Sequence, residues 1–134
     1  MTKILVVEDN VLLSTTLVRF LRDQGKLDVV AVTRTAEEAL EQLKVHHVDL
    51  VLVDVALPGM SGIDLVATLR RSYPDVPCLI LSGHNEMDYV RRALSVGAKG
   101  YIVKSDPMAI LAAVRRVLAG EIFLSEELRS KLYH

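Results

Sequence analysis

The chain has 134 residues, which is enough for one domain with a single hydrophobic core. Its 16 Lys and Arg residues against 17 Asp and Glu give a formal net charge of -1, which excludes a strongly basic nucleic-acid-binding surface. The single cysteine, Cys78, excludes a disulfide framework, and its apolar neighbours predict a buried structural thiol. Because no apolar run reaches the length of a signal peptide or a membrane span, we expect a cytoplasmic protein without membrane contact.

Apolar segments alternate with amphipathic segments along the chain. Four predicted strands cover residues 4–7, 29–32, 78–81 and 100–103. The third strand in chain order lies between those at 29–32 and 78–81 and ends at residue 54. A capping box of Thr35 and Glu38 begins the second helix, and Asp106 caps the fifth. This alternation predicts an α/β fold, a doubly wound five-stranded parallel sheet with helices on both faces. We expect the flavodoxin-like strand order 2-1-3-4-5, which the family resemblance of the motifs also supports.

Polar residues follow the carboxyl ends of four predicted strands: Glu8 and Asp9, Asp54, Ser82, and Lys104. Because strands 1 and 3 are neighbours in the expected order, the three carboxylates would converge, and a divalent cation would relieve their repulsion. Oxygen ligands of this kind suit Mg²⁺. The set fits phosphoryl transfer to Asp54, with Lys104 neutralising charge and Ser82 hydrogen-bonding a phosphoryl oxygen.

Four motifs carry a family resemblance: Ile-Leu-Val-Val-Glu-Asp at 4–9, Asp54 followed by Leu-Pro-Gly-Met-Ser-Gly at 57–62, Leu-Ser-Gly at 81–83, and Gly-Tyr-Ile-Val-Lys at 100–104. Together they resemble the receiver domain of two-component response regulators over residues 3 to about 120. The resemblance implies a receiver fold and a signalling switch. It implies no enzyme activity beyond autophosphorylation and autodephosphorylation.

The resemblance also implies roles for individual residues. Asp54 would accept phosphate from a sensor histidine kinase, and Lys104 would contact that phosphate. Mg²⁺ would be held by Glu8, Asp9, one carboxylate oxygen of Asp54 and the backbone carbonyl of Ala56. Ser82 and Tyr101 would form the switch pair, which alters the face built by helix 4, strand 5 and helix 5.

Three positions depart from the family pattern or tune it. Many receivers have proline after the lysine, whereas Ser105 follows Lys104 here. His84 lies two residues after Ser82, and Ala56 lies two residues after Asp54. In the family, residues at these positions tune the lifetime of the phosphorylated aspartate, and the sequence gives no direction for that effect here.

Two groups of residues are candidates for contact with other proteins. Val11 and Leu12 precede the apolar stripe of the first helix, and we predict that they dock the helical domain of the kinase. The basic pairs Arg91-Arg92 and Arg115-Arg116 are typical of a solvated helix face. The alternative is a charged surface for a partner or for a homodimer that forms on phosphorylation.

The expected domain organisation is a receiver domain at 1–120 and a C-terminal linker or helix start at 121–134. The tail resembles the hinge to a LuxR-type helix-turn-helix output domain, which would control transcription in a full-length protein. Because the chain contains no recognition helix, we expect no direct nucleic-acid contact by these residues.

Other functions fit the residues less well. A hydrolase resembling the haloacid dehalogenases has an acid two residues after its nucleophile, where this chain has Ala56. A nucleotide or flavin binder would need a glycine-rich phosphate loop after the first strand, and none is present. The alternative that stays open is a phosphate-independent interaction module with a receiver-like fold.

Overall fold

The structure is a computed structural model, and it describes residues 1–83, 87–104 and 107–132. The departures noted at His84 and Ser105, and the cap predicted at Asp106, lie outside the described residues. The strands are β1 (Lys3–Val7), β2 (Asp28–Thr33), β3 (Leu50–Asp54), β4 (Cys78–Ser82), β5 (Gly100–Val103) and β6 (Phe123–Leu124). The helices are α1 (Val11–Asp23), α2 (Ala36–Val45), α3 (Gly62–Ser72), α4 (Met87–Ser95), α5 (Pro107–Leu118) and α6 (Glu126–Leu132).

The strands form one parallel sheet in the order β2-β1-β3-β4-β5-β6. The doubly wound fold and the order of the first five strands are therefore confirmed. The predicted strand count of five was too low, because Phe123 and Leu124 pair with Gly100 and Tyr101 and add a sixth strand at the edge. A two-residue strand carries almost no periodic signal, so the sequence pattern could not distinguish it from a linker.

The hydrophobic core has two layers, one on each face of the sheet. The central strands β3 and β4 are buried at every position, as expected for strands covered on both sides. One layer lies between the sheet and α2, α3, α4 and α6, and the other lies between the sheet and α1 and α5. Cys78 is fully buried in the first layer, as predicted, and burial raises the pKa of its thiol to about 12.

Side-chain caps fix where the helices near the carboxyl edge begin. Oδ1 of Asn10 accepts a hydrogen bond from the N–H of Leu13 at 3.0 Å, which begins α1 directly after the acidic pair. Oγ1 of Thr35 accepts from the N–H of Glu38 at 3.1 Å, as predicted. The Glu38 carboxylate accepts from the N–H of Arg34 at 3.0 Å, one residue before the cap, so the capping box is a displaced form of the predicted one.

The C-terminal tail packs on the rest of the domain. Leu124 is 8% exposed and Leu128 is fully buried, and both join the core layer that contains α4. The segment contains α6, whose first turn carries Glu126 and Glu127. None of the described helices is long and apolar enough to span a membrane.

Candidate functional site

Asp54 is the last residue of β3 and lies at the carboxyl edge of the sheet. Its side chain is buried, with the residue 3% exposed. Oδ1 of Asp54 accepts a hydrogen bond from the N–H of Ala56 at 3.1 Å, and the N–H of Val55 donates to the carbonyl oxygen of Leu81 at 3.1 Å. The backbone that follows Asp54 is therefore held by β4 and by the carboxylate itself.

Glu8 and Asp9 come from the loop that follows β1. The N–H of Glu8 donates to the carbonyl oxygen of Thr33 at 2.9 Å, and Oε2 of Glu8 accepts from the N–H of Asn10 at 3.1 Å. Glu8 is 2% exposed, whereas Asp9 is exposed. One carboxylate oxygen from each of Glu8, Asp9 and Asp54 lies within 4.8 Å of the other two. The predicted convergence of the three acids is present.

Lys104 follows β5 and reaches into the same pocket. Its Nζ atom lies 3.1 Å from Oε1 of Glu8 and 3.4 Å from Oδ2 of Asp54. The N–H of Lys104 donates to the carbonyl oxygen of Ser82 at 2.6 Å, which ties the end of β5 to the end of β4. One ammonium group therefore faces two buried carboxylates.

The surroundings of the ion pair shift the pKa values of Glu8 and Lys104 in the same direction. Burial, followed by a hydrogen bond with Asp54 and the negative charge of that residue, raises the pKa of Glu8 above its ordinary value. Burial alone would lower the pKa of Lys104, but the hydrogen bond to Glu8 and the charge of Asp54 outweigh it and raise that pKa. The pocket holds more negative charge than its own cation balances.

The donor set fits a hard divalent cation. The three carboxylates offer only oxygen ligands, and one of them, Asp9, faces solvent, where a cation could keep bound water. Oε1 of Glu8 is buried, and the ammonium of Lys104 lies 3.1 Å from it. The pocket still holds three carboxylates against this one cation, and a bound divalent cation would relieve the excess negative charge.

The two predicted switch residues are both fully buried. Ser82 ends β4 at the carboxyl edge, beside Val103 of β5. Tyr101 lies on β5, pairs in register with Ile80 on one side and Leu124 on the other, and belongs to the core layer under α4. Ser82 is therefore in the same edge of the sheet as Asp54, while Tyr101 lies deeper in the molecule.

Val11 and Leu12 lie outside the acidic pocket but next to it. They form the first turn of α1 and are 51% and 79% exposed. Leu12 also lines a groove of about 300 Å³ between α1 and α5, which Pro107 and Ile110 complete on the other side. The prediction that both side chains point outward beside the acids is confirmed, and their role in docking stays a prediction.

Gly62 has a structural role that sequence reasoning did not assign. It is the first residue of α3, and a Cβ atom there would overlap the carbonyl oxygen of Asp54 and lie 2.8 Å from Cα of Val55. The N–H of Gly62 donates to the carbonyl oxygen of Val55 at 3.0 Å, which closes the loop after Asp54. The signal available in the sequence was a glycine at the start of a helix, because glycine allows another stretch of backbone to come close.

Comparisons with known proteins agree with this geometry. Residues 4–115 match the family model described as the response regulator receiver domain. The chain is 37% identical over 130 residues to the transcriptional activator protein ExaE of Pseudomonas putida, covering 96% of this chain and 61% of that protein. It is 34% identical over 133 residues to the response regulator GacA of Pseudomonas syringae pv. syringae, covering 98% of this chain and 62% of GacA. The chain thus spans about three fifths of the length of these curated relatives.

Solved structures give the same result. A LuxR-family two-component response regulator from Aurantimonas sp. SI85-9A1 superposes with a TM-score of 0.90 at 27% identity, covering 97% of this chain and 94% of that one. The signal receiver domain of a NarL response regulator from Mycobacterium tuberculosis superposes with a TM-score of 0.83 at 33% identity, covering 90% and 98%. Since sequence and fold agree over most of the chain, this protein belongs to the response regulator receiver domain family of two-component systems, and its structural neighbours include response regulators of the LuxR family.

Proposed function

We propose that this chain is a phosphorylation-operated switch in which Asp54 accepts a phosphoryl group from the phosphohistidine of a sensor histidine kinase. The observation that carries the proposal is the pairing of Lys104 with two buried carboxylates, Glu8 and Asp54, at the edge of the sheet where ligands of such folds bind. An interaction module that works without phosphate has no need of a cation and three acids held in one pocket.

The transfer requires few chemical groups from the protein. A carboxylate oxygen of Asp54 would attack the phosphorus, the bond from phosphorus to the imidazole nitrogen would break, and the nitrogen would keep the electron pair. Lys104 would balance charge on the phosphoryl oxygens, and the hydroxyl of Ser82 would donate a hydrogen bond to one of them. Ala56 already donates its N–H to Asp54, so the nucleophile is held in place before the phosphate arrives.

Receiver domains bind Mg²⁺ at an acidic pocket, and the cluster of Glu8, Asp9 and Asp54 could hold such an ion. In this chain we assign the ligands to those three carboxylates and the backbone carbonyl of Ala56. The ion would supply positive charge opposite Lys104 and so help to neutralise the transferred group.

Partners and output follow from the family. Response regulators receive phosphate from sensor kinases, and we propose that Val11 and Leu12 form part of the apolar surface that contacts the kinase here.

Several relatives are named as transcriptional regulators, so we propose that the full-length protein controls transcription and that DNA is bound outside this chain. Ser82 and Tyr101 would transmit phosphorylation, and a homodimer that forms on phosphorylation is one form the response would take.

The test is the intact mass of the chain after incubation with acetyl phosphate and Mg²⁺. We expect the parent chain to gain one phosphoryl group. The group should not be added when Mg²⁺ is chelated during the incubation, nor should it be added to Asp54→Ala. Asp64→Ala is the matched control, because Asp64 is an exposed carboxylate on the neighbouring helix α3 and should leave the adduct unchanged. A folded parent chain that gains no adduct and does not bind beryllofluoride would instead indicate the phosphate-independent interaction module.

A further inference from the structure

The C-terminal segment of this chain, residues 123–132, covers the part of the domain in which the proposed switch residue lies. β6 pairs with β5 along the edge that would otherwise be open, and the N–H of Phe123 donates to the carbonyl oxygen of Lys99 at 2.9 Å. Leu124 is the register partner of Tyr101. The segment therefore begins directly beside the residue that the switch would move.

The helix that follows, α6, covers the same region of the core. α6 packs against α4, and its Leu128 is fully buried in a layer that also contains Val90, Ala93 and Tyr101. The rest of α6 is largely exposed, so Leu128 is its main anchor. Tyr101 itself has no exposed surface. Tyr101 therefore shares one buried layer with residues of α4 and of the C-terminal segment.

A tyrosine ring on β5 could reach solvent only across the open edge of that strand or past α4. Here β6 occupies the edge, and Leu124 and Leu128 occupy the space next to α4. Side chains in such a layer are close-packed, so the ring cannot turn outward while the segment stays docked. The inward position of Tyr101 and the docked position of residues 123–132 therefore belong to one conformation.

We infer that the C-terminal segment is the intramolecular partner of the α4–β5 face, and that phosphorylation of Asp54 stabilises its docking through Tyr101. The inference rests on the proposed function, in which Ser82 and Tyr101 transmit phosphorylation, and it adds that the phosphorylated form keeps Tyr101 in its inward position. Phosphate at Asp54 and docking of the segment then favour the same conformation. The docking equilibrium constant and the affinity for a phosphoryl analogue therefore raise each other by an equal factor. A separate protein that binds the α4–β5 face must displace α6 or bind beside it.

The first experiment measures amide hydrogen exchange in the whole chain, with and without beryllofluoride and Mg²⁺. Two amides report on docking: that of Phe123, which donates to the carbonyl oxygen of Lys99, and that of Arg129 in α6, which donates to the carbonyl oxygen of Ser125 just before the helix. We expect beryllofluoride to slow their exchange by at least about fivefold, the low end of ordinary coupling between sites. Unchanged exchange with beryllofluoride bound would overturn the inference and leave the proposed function standing. Failure to bind beryllofluoride at all would overturn both.

The second experiment uses Leu128→Asp to undock the helix and Ser130→Asp as the matched control. Both variants add one carboxylate to α6, but Leu128 is buried and Ser130 is exposed. We expect Leu128→Asp to speed exchange at Phe123 and to weaken beryllofluoride binding by at least about fivefold, because coupling is reciprocal. Ser130→Asp should change neither. Equal beryllofluoride affinity in both folded variants would contradict the inference, and the wild-type exchange measurement decides it if Leu128→Asp does not fold.

Discussion

The Nζ atom of Lys104 lies 3.1 Å from Oε1 of Glu8, and this contact joins the ends of two strands that are not adjacent in the sheet. β5 is separated from β1 by β3 and β4, so the ion pair crosses the carboxyl edge above Asp54. The same amine also lies 3.4 Å from Asp54. Before any phosphoryl group arrives, Lys104 is held where that group would bind.

Replacing Lys104 with methionine should slow phosphorylation of Asp54. The variant keeps a side chain of similar length but removes the cation that would balance the phosphoryl oxygens, a loss worth on the order of a hundredfold in rate. The rate of adduct formation with acetyl phosphate and Mg²⁺, followed by intact mass, measures the effect. Lys99→Met is the control, since Lys99 lies before β5 at the opposite edge, and an equal loss there would argue against a specific role for Lys104.

Replacing Gly62 with alanine should disturb the phosphoacceptor loop. The added Cβ would overlap the carbonyl oxygen of Asp54, so the start of α3 must move away from that backbone. Overpacking of this kind costs about 1–3 kcal/mol of unfolding free energy, measured by urea denaturation. We also expect weaker Mg²⁺ binding, because the loop that carries Ala56 ends at this contact.

The matched control for that variant is Gly83→Ala. Gly83 follows β4 at the same edge of the sheet, but a Cβ atom there meets nothing within 4 Å. It should therefore leave both the unfolding free energy and the Mg²⁺ affinity close to those of the parent. Similar losses in the two variants would show that the edge is sensitive to any added methyl group.

Replacing Leu12 with glutamate should slow phosphotransfer from the kinase but not from acetyl phosphate. Leu12 is 79% exposed next to the acidic pocket, so the change removes an apolar contact without opening the core. The comparison of the two phosphodonors separates docking from chemistry. Val45→Glu is the control, because Val45 is 73% exposed at the end of α2 and away from the site. An unchanged rate with the kinase would rule out a docking role for Leu12.

Asp49 should contribute stability that depends on pH. Its Oδ2 accepts a hydrogen bond from the N–H of Lys3 at 2.7 Å, and its Oδ1 lies 3.1 Å from Nε2 of His47. The hydrogen bond from Lys3, and to a smaller extent His47, lowers the pKa of Asp49 below its ordinary value of 3.8, against an opposing effect of burial. Because the folded pKa is lowered, the stabilisation is complete above the unfolded pKa and is lost as the pH falls through the folded value.

The variant Asp49→Asn tests this dependence. We expect it to be less stable than the parent near neutral pH and to approach the parent as acid protonates Asp49, in denaturant melts at a series of pH values. The control is Asp75→Asn, because the exposed Asp75 and Asp49 line one surface cavity, and this variant should show a smaller difference at every pH. A constant gap between Asp49→Asn and the parent from neutral to acid pH would refute the assignment.

The sequence predicts most of the fold because its signals coincide. A strand that is apolar on both faces and then stops at an acid, as at Asp54, marks both a core element and the edge where polar groups collect. Parallel pairing places the carboxyl ends of the strands at one edge of the sheet. The sequence alone therefore predicts that Glu8, Asp9 and Lys104 lie close to Asp54. The family motifs agreed with this pattern at the ends of the first, third, fourth and fifth strands.

Other features depend on contacts between distant residues. The paired position of Phe123 and Leu124 depends on an open β5 edge, and the burial of Leu128 depends on how α4 leaves space beside Tyr101. The role of Gly62 depends on the distance between a helix and the backbone of a neighbouring strand. Neither local propensity nor spacing contains these distances, so only a structure reveals them.

The two-residue strand β6 also bears on how the domain behaves in solution. A receiver fragment that stopped at Gly120 would leave the backbone N–H and C=O groups of β5 free on one side and uncover the apolar surface that Leu124 and Leu128 now cover. An exposed strand edge next to an apolar patch is a template for pairing with another molecule and for aggregation. With β6 in place, the sheet ends in a strand too short to recruit a partner, so residues 123–132 shield this edge from strand pairing with another molecule as well as completing the core.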